Sequence, residues 1–125
     1  MTEPTKLRLA RDQLDRVQVA WLEPVDWSDL AMYGFYALEN AVVAAADHFG
    51  VQWKPNHPSK VDAARLLAEQ HGLPDVASLL LELNTLRKSE AYGEMPSSRT
   101  RSAEDIAIEV EQYVEAVAAL FGADK

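Results

Sequence analysis

The chain has 125 residues, 48% of them apolar and 26% charged, with 12 basic and 20 acidic side chains and a formal net charge of −8. That length supports one domain with a real core and leaves no room for a second, and the composition argues against disorder. The absence of cysteine excludes disulfides, thiolate zinc sites and a cysteine nucleophile, and the net negative charge excludes general attraction to a polyanion, so any RNA contact must be local.

Glycine and proline punctuate the sequence, helical periodicity fills the intervals, and no strand-like alternation occurs. The opening "MTEPTKLRLARDQLD" mixes acids with bases and has no apolar segment of signal-peptide type, so a cytoplasmic protein is expected. The first helix is expected over about residues 4–22, where Leu7, Ala10, Leu14, Val17 and Trp21 step by three and four until Pro24. The second, over about 27–49, has Asp26 as N-cap and Asp29 three residues on, a capping box with Asp in place of Glu. Its stripe reads Leu30, Gly34, Leu38, Ala41, Ala45 and Phe49. Small residues at 31, 34, 37, 41 and 45 allow a close helix approach, within the chain or across a dimer axis. Interior Gly34 costs about 1 kcal/mol against alanine, which points to tight packing there. The longest apolar run, "AVVAAA" at 41–46, is far short of the roughly 20 residues of a membrane span, so no membrane partner is expected.

"GVQWKPNHP" reads as a two-proline loop, after which Ser59 caps a third helix ending at His71 and Gly72. The fourth helix opens at Pro74, buries Val76, Leu79, Leu80, Leu83 and Leu86, and finishes in "LNTLRKSEAYGE". The loop "EMPSSRTR" follows, and the last helix starts from Thr100 or Ser102. Its seam of Ile106, Val110, Tyr113, Val117 and Leu120 ends at Gly122, with Glu104, Asp105, Glu109, Glu111 and Glu115 on a solvated face. Short connections between long helices predict an all-α, up-and-down antiparallel bundle of about five helices, one domain over 1–125.

The three histidines have no partner at ligand spacing. His48 and His71 sit at helix C-termini and His57 in a loop, so no metal and no cofactor is expected. Trp21, Trp27 and Trp53 read as core or interface anchors. Glycine-rich phosphate loops and Ser-His-Asp order are absent. What is left is the end of the fourth helix. Arg87 stands one turn beyond Leu83, on the stripe that faces the core, and a buried guanidinium needs an acid or carbonyls. Glu39 is the candidate acid and Asn84, one turn before Arg87, the orienting group; the plain alternative is an arginine that staples two helices. Arg87, Lys88, Arg99 and Arg101 outnumber Glu90 and Glu94 over residues 85–101, a small local basic patch.

"FYALENAVVAAADHFGV" in the second helix, "LNTLRKSEAYGE" closing the fourth, a polar loop and an amphipathic last helix together resemble the HEPN domains of prokaryotes, over about residues 27–122. The resemblance implies an antiparallel helical bundle that dimerises, often encoded beside a minimal nucleotidyltransferase as a toxin–antitoxin pair. In the ribonuclease members an Arg is followed, with about four to six residues between, by a His, and the two line an RNA-cutting cleft at the dimer interface. Arg87 matches that Arg. Tyr92 stands where the shortest spacing would place the His, and no histidine follows His71. A phenol with pKa near about 10 is a poor general base at neutral pH, where an imidazole near about 6.5 is well suited. The resemblance thus implies a binding or regulatory subunit, with Arg87, Asn84, Glu39, Arg99 and Arg101 taking a nucleotide, RNA or the partner protein. The alternative is a divergent metal-independent endoribonuclease, a toxin using Arg87 and Tyr92.

Overall fold

The computed structural model describes residues 3–91 and 101–122, and all regular structure among them is helical. The helices are α1 (Thr5–Ala20), α2 (Trp27–Phe49), α3 (His57–His71), α4 (Ala77–Ala91) and α5 (Ala103–Ala119), so the expected all-α bundle is observed. α2 is the central element and packs against each of the other four; α1 also touches α5, and α3 touches α4.

The sequence explains why α2 takes the centre. Ala31, Gly34, Ala37, Ala41 and Ala45 are all buried, as is the whole of "AVVAAA", so neighbours close on α2 from several sides. A Cβ at Gly34 would stand 3.3 Å from Leu83 Cδ1 of α4, 3.7 Å from Val110 Cγ2 and 3.9 Å from Ile106 Cγ2 of α5. The small-residue stripe is therefore used inside the chain, the first of its two expected places. Around it Val76, Leu79, Leu80, Leu83 and Leu86 before and along α4 and Ile106, Val110, Tyr113 and Val117 along α5 are buried as read, while Leu120, the last residue of the expected seam, is the C-cap of α5 and only half-buried. On the other side α1 buries Leu7, Ala10 and Val17 and is tied to α2 by Asn40 Nδ2 donating to Gln13 Oε1 at 2.8 Å.

Helix starts show where local chemistry is decided. Asp26 Oδ1 accepts the Asp29 N–H at 3.0 Å, and Ser102, not Thr100, caps α5 in a reciprocal box with Asp105. Two expected starts are corrected. α3 begins at His57, because Asn56 Oδ1 accepts the Ser59 N–H at 2.8 Å while the Ser59 hydroxyl accepts the Lys54 N–H at 2.7 Å. Asn is as good an N-cap as Ser, and Pro58 in the first turn lacks only an N–H that the helix would not use. α4 begins at Ala77 rather than Pro74, with Asp75 Oδ1 accepting the Ala77 N–H at 3.0 Å. Gly72 closes α3 at φ 71°, as its position predicts.

One core group is poorly satisfied. Tyr113 is fully buried, its hydroxyl has no hydrogen-bond partner, and burial together with the nearby Asp75 charge pushes its pKa well up, so it stays a neutral phenol. A buried hydroxyl without a partner costs free energy that its removal recovers. Tyr113→Phe is expected to be about 1 kcal/mol more stable, read by denaturant titration. A loss of stability instead would mean that the hydroxyl bonds to a buried water.

Candidate functional site

The site grows from three helices that meet at Phe35. On α4, Asn84 and Arg87 are three residues apart, one turn, and Arg87 Nη2 donates to Asn84 Oδ1 at 2.7 Å. The guanidinium carbon lies 5.0 Å from the Phe35 ring centre and 5.6 Å from that of Tyr36, both on α2. Arg87 Nε is buried and has no hydrogen-bond partner. The arginine is thus half-buried, oriented by Asn84 as expected, and held on aromatic faces, where the ring quadrupole attracts a cation.

Its expected acid is elsewhere. Glu39, only 4% exposed, places Oε2 at 2.6 Å from His57 Nδ1 and Oε1 at 3.6 Å from Lys60 Nζ. Pairing by charge favours Arg87 on paper, but the start of α3 lies beside this turn of α2 and delivers His57 and Lys60, three residues apart, to the same carboxylate. A carboxylate on Nδ1 fixes the imidazole's orientation and leaves Nε2 as the other ring nitrogen, which makes no hydrogen bond among the described residues. The His57 side chain is 42% exposed and stands edge-on to Phe35, ring centres 5.0 Å apart at 69°. Imidazole and guanidinium therefore share one phenyl ring, and their centres are at most twice that separation apart.

Between α2, α3 and α4 opens a cavity of about 300 Å³. Phe35, Pro58, Val61, Leu80 and Leu81 form its apolar walls, and His57, Asp62, Arg65, Asn84 and Lys88 supply its polar groups. Arg87 is not one of its walls. It touches Asn84 and Phe35, which are.

No family model, curated protein or solved structure matches this chain.

The remaining candidates divide. Arg101 is not at the cleft. Its Nε donates to Glu109 at 2.8 Å, Nη1 to Glu82 at 2.6 Å and Nη2 to Ser78 at 3.0 Å, so it ties α4 to α5. At about 3.6 residues per turn, Ser78 and Glu82 lie on the opposite flank of α4 from Asn84 and Arg87. Burial alone would lower the Arg101 pKa, but Glu109 and Glu82 outweigh it and raise the pKa, keeping the guanidinium charged. Arg99 and Tyr92 lie outside the described residues. His48 and His71 join an aromatic group instead, His71 stacked on Phe49 at 3.9 Å and His48 edge-on to Phe49 and Phe121. Trp21, Trp27 and Trp53 pack half-buried against the core. Among the described residues no three His, Asp or Glu side chains gather as metal ligands would, and no helix is long and apolar enough to cross a membrane.

His57 is the site residue that sequence reasoning missed. The available signal was the capping pattern: Asn56 before His57 and Pro58 already marks a helix start, which puts His57 on the first turn beside Lys60.

Proposed function

We propose that the protein is a HEPN-like binding subunit that takes a phosphate-bearing ligand, RNA or a nucleotide, at the Arg87 end of α4. The observation that carries this reading is Arg87 itself: a guanidinium lying on Phe35 and Tyr36, oriented by Asn84, with a buried Nε that has no hydrogen-bond partner among the described residues. Nε itself is closed to solvent and one Nη2 N–H is taken by Asn84, so the fixed guanidinium meets a phosphate through Nη1 and the remaining Nη2 N–H, with little ordering left to do. Lys88 follows it on the exposed surface. Because the chain carries a net charge of −8, attraction comes from this locality alone, and a shallow salt dependence of about one or two phosphate contacts is expected. The resemblance supports a homodimer and a minimal nucleotidyltransferase partner in a toxin–antitoxin type system. The α2 stripe does not add to that support, since it is buried within one chain.

A metal-independent endoribonuclease is the second reading, and one observation favours it: the Glu39-held imidazole and the Arg87 guanidinium each lie 5.0 Å from the Phe35 ring centre, so a base and a phosphate-binding cation flank one ring without Tyr92.

Fluorescence anisotropy with a labelled single-stranded RNA of twelve or so nucleotides tests both. Arg87→Ala is expected to weaken binding at least about tenfold while destabilising the fold by about 1 kcal/mol through the lost ring contacts. Unchanged affinity in the folded variant would reduce Arg87 to a helix staple. Cleavage by the wild type that survives Tyr92→Phe and disappears in His57→Gln would select the second reading. Light scattering of the same samples reads the mass, and a monomer across micromolar concentrations would remove the dimer.

A further inference from the structure

The cavity between α2, α3 and α4 has a chemistry that a phosphate on Arg87 does not use, since Arg87 does not line it. Its walls are apolar, and about 300 Å³ is the small end of ligand pockets, the size of a two-ring aromatic molecule. Its charges nearly cancel. Arg65 pairs with Asp62 at 3.4 Å, and His57 is engaged by Glu39, whereas Lys88 has no ion-pair partner among the described residues. One positive charge at the rim complements one negative charge. Asn84 sharpens the match: its Oδ1 is occupied by Arg87 Nη2, so its amide presents N–H donors and calls for an acceptor.

We propose that this cavity binds a small aromatic monocarboxylate, with its ring against Phe35, Val61 and Leu80 beside the His57 imidazole and its carboxylate between Lys88 Nζ and the Asn84 amide. A nucleotide fits these groups poorly, because its polar sugar would meet apolar walls and its doubly charged phosphate a single uncompensated cation. The cavity is therefore distinct from the phosphate contact at Arg87, although Asn84 and Lys88 border both, and the inference does not rest on the nucleic-acid reading.

The full chain is titrated by calorimetry with 2-naphthoate, 2-naphthol, acetate and adenosine 5′-monophosphate, and by anisotropy with the labelled RNA. One naphthoate per chain is expected, with a dissociation constant of roughly 100 µM. Naphthol binds at least about tenfold more weakly and acetate not measurably, because ring and charge are both needed. Lys88→Glu weakens naphthoate at least about tenfold. Leu81→Trp, at an exposed position on the cavity wall, blocks naphthoate and leaves RNA affinity unchanged. In NMR spectra naphthoate moves the ring signal of His57 and not those of His48 or His71. Failure of naphthoate to saturate by about 5 mM, equal affinity for naphthol, or tighter binding of the nucleotide would each overturn the proposal. RNA binding without naphthoate binding sinks this inference and leaves the Arg87 reading standing; naphthoate binding without RNA binding does the reverse.

Discussion

His57→Ala is expected to cost about 2–3 kcal/mol of stability, a large loss for removing a side chain that is 42% exposed. The cost arises at Glu39, not at position 57. The carboxylate is 4% exposed, and its short contact is the 2.6 Å one to His57 Nδ1; the Lys60 ammonium at 3.6 Å is too distant for a good hydrogen bond. Without His57 the buried carboxylate loses its short hydrogen bond and keeps only the 3.6 Å ion pair to Lys60. Removing the other partner is different. In Glu39→Met the buried position becomes apolar at similar volume, and the half-exposed His57 and Lys60 turn to solvent, so a loss of about 1 kcal/mol or less is expected. The double variant should be more stable than His57→Ala alone, because it removes the orphaned charge. Equal losses for the two single variants in denaturant titrations would show that water reaches Glu39 and that the pair is an ordinary surface contact.

The helices are legible in the sequence because burial on one face leaves a period that survives without knowledge of any neighbour. Leu79, Leu83 and Leu86 face the core whichever helix covers them, and Ser102 with Asp105 caps α5 whatever lies beside it. The site is less legible because it depends on which helix end arrives where. Asn84 and Arg87 belong to one turn of one helix, and their bond is read correctly from spacing alone. Glu39 has cations available from two helices, and only the packing of α3 against α2 decides for His57 and Lys60. Arg101 fails for the same reason. Its neighbours in sequence place it near Arg87, whereas the fold places it on the far flank of α4 between Glu82 and Glu109. His57 was hidden by a helix start read three residues late, with Ser59 in place of Asn56 as the cap, a small local error that moved a site residue into a loop.

Gly34→Val is expected to destabilise the bundle by about 3 kcal/mol, whereas Gly34→Ala is expected to fall within about 1 kcal/mol of the wild type. The first added carbon stands 3.3 Å from Leu83 Cδ1, the movable tip of a leucine, and the resulting crowding is offset by the roughly 1 kcal/mol of helix propensity that alanine restores. Valine's two further carbons have no such relief, because Leu83, Val110 and Ile106 are themselves fully or almost fully buried and close on that point from two helices. Room can be made only by moving α4 or α5 away from α2. Shortening Leu83 to alanine beside Gly34→Val should therefore recover part of the loss, so the double variant is more stable than the sum of the single effects predicts. Strict additivity would mean that the two side chains do not meet. The same displacement reaches the site. Phe35 follows Gly34 directly on α2, and Arg87 is one turn beyond Leu83 on α4, so a shift of α4 at this contact is expected to change the 5.0 Å between guanidinium and ring. If the proposed phosphate site is right, a Gly34→Val protein that stays folded at low temperature is expected to bind RNA several-fold more weakly, with Arg87, Asn84 and Phe35 all still present.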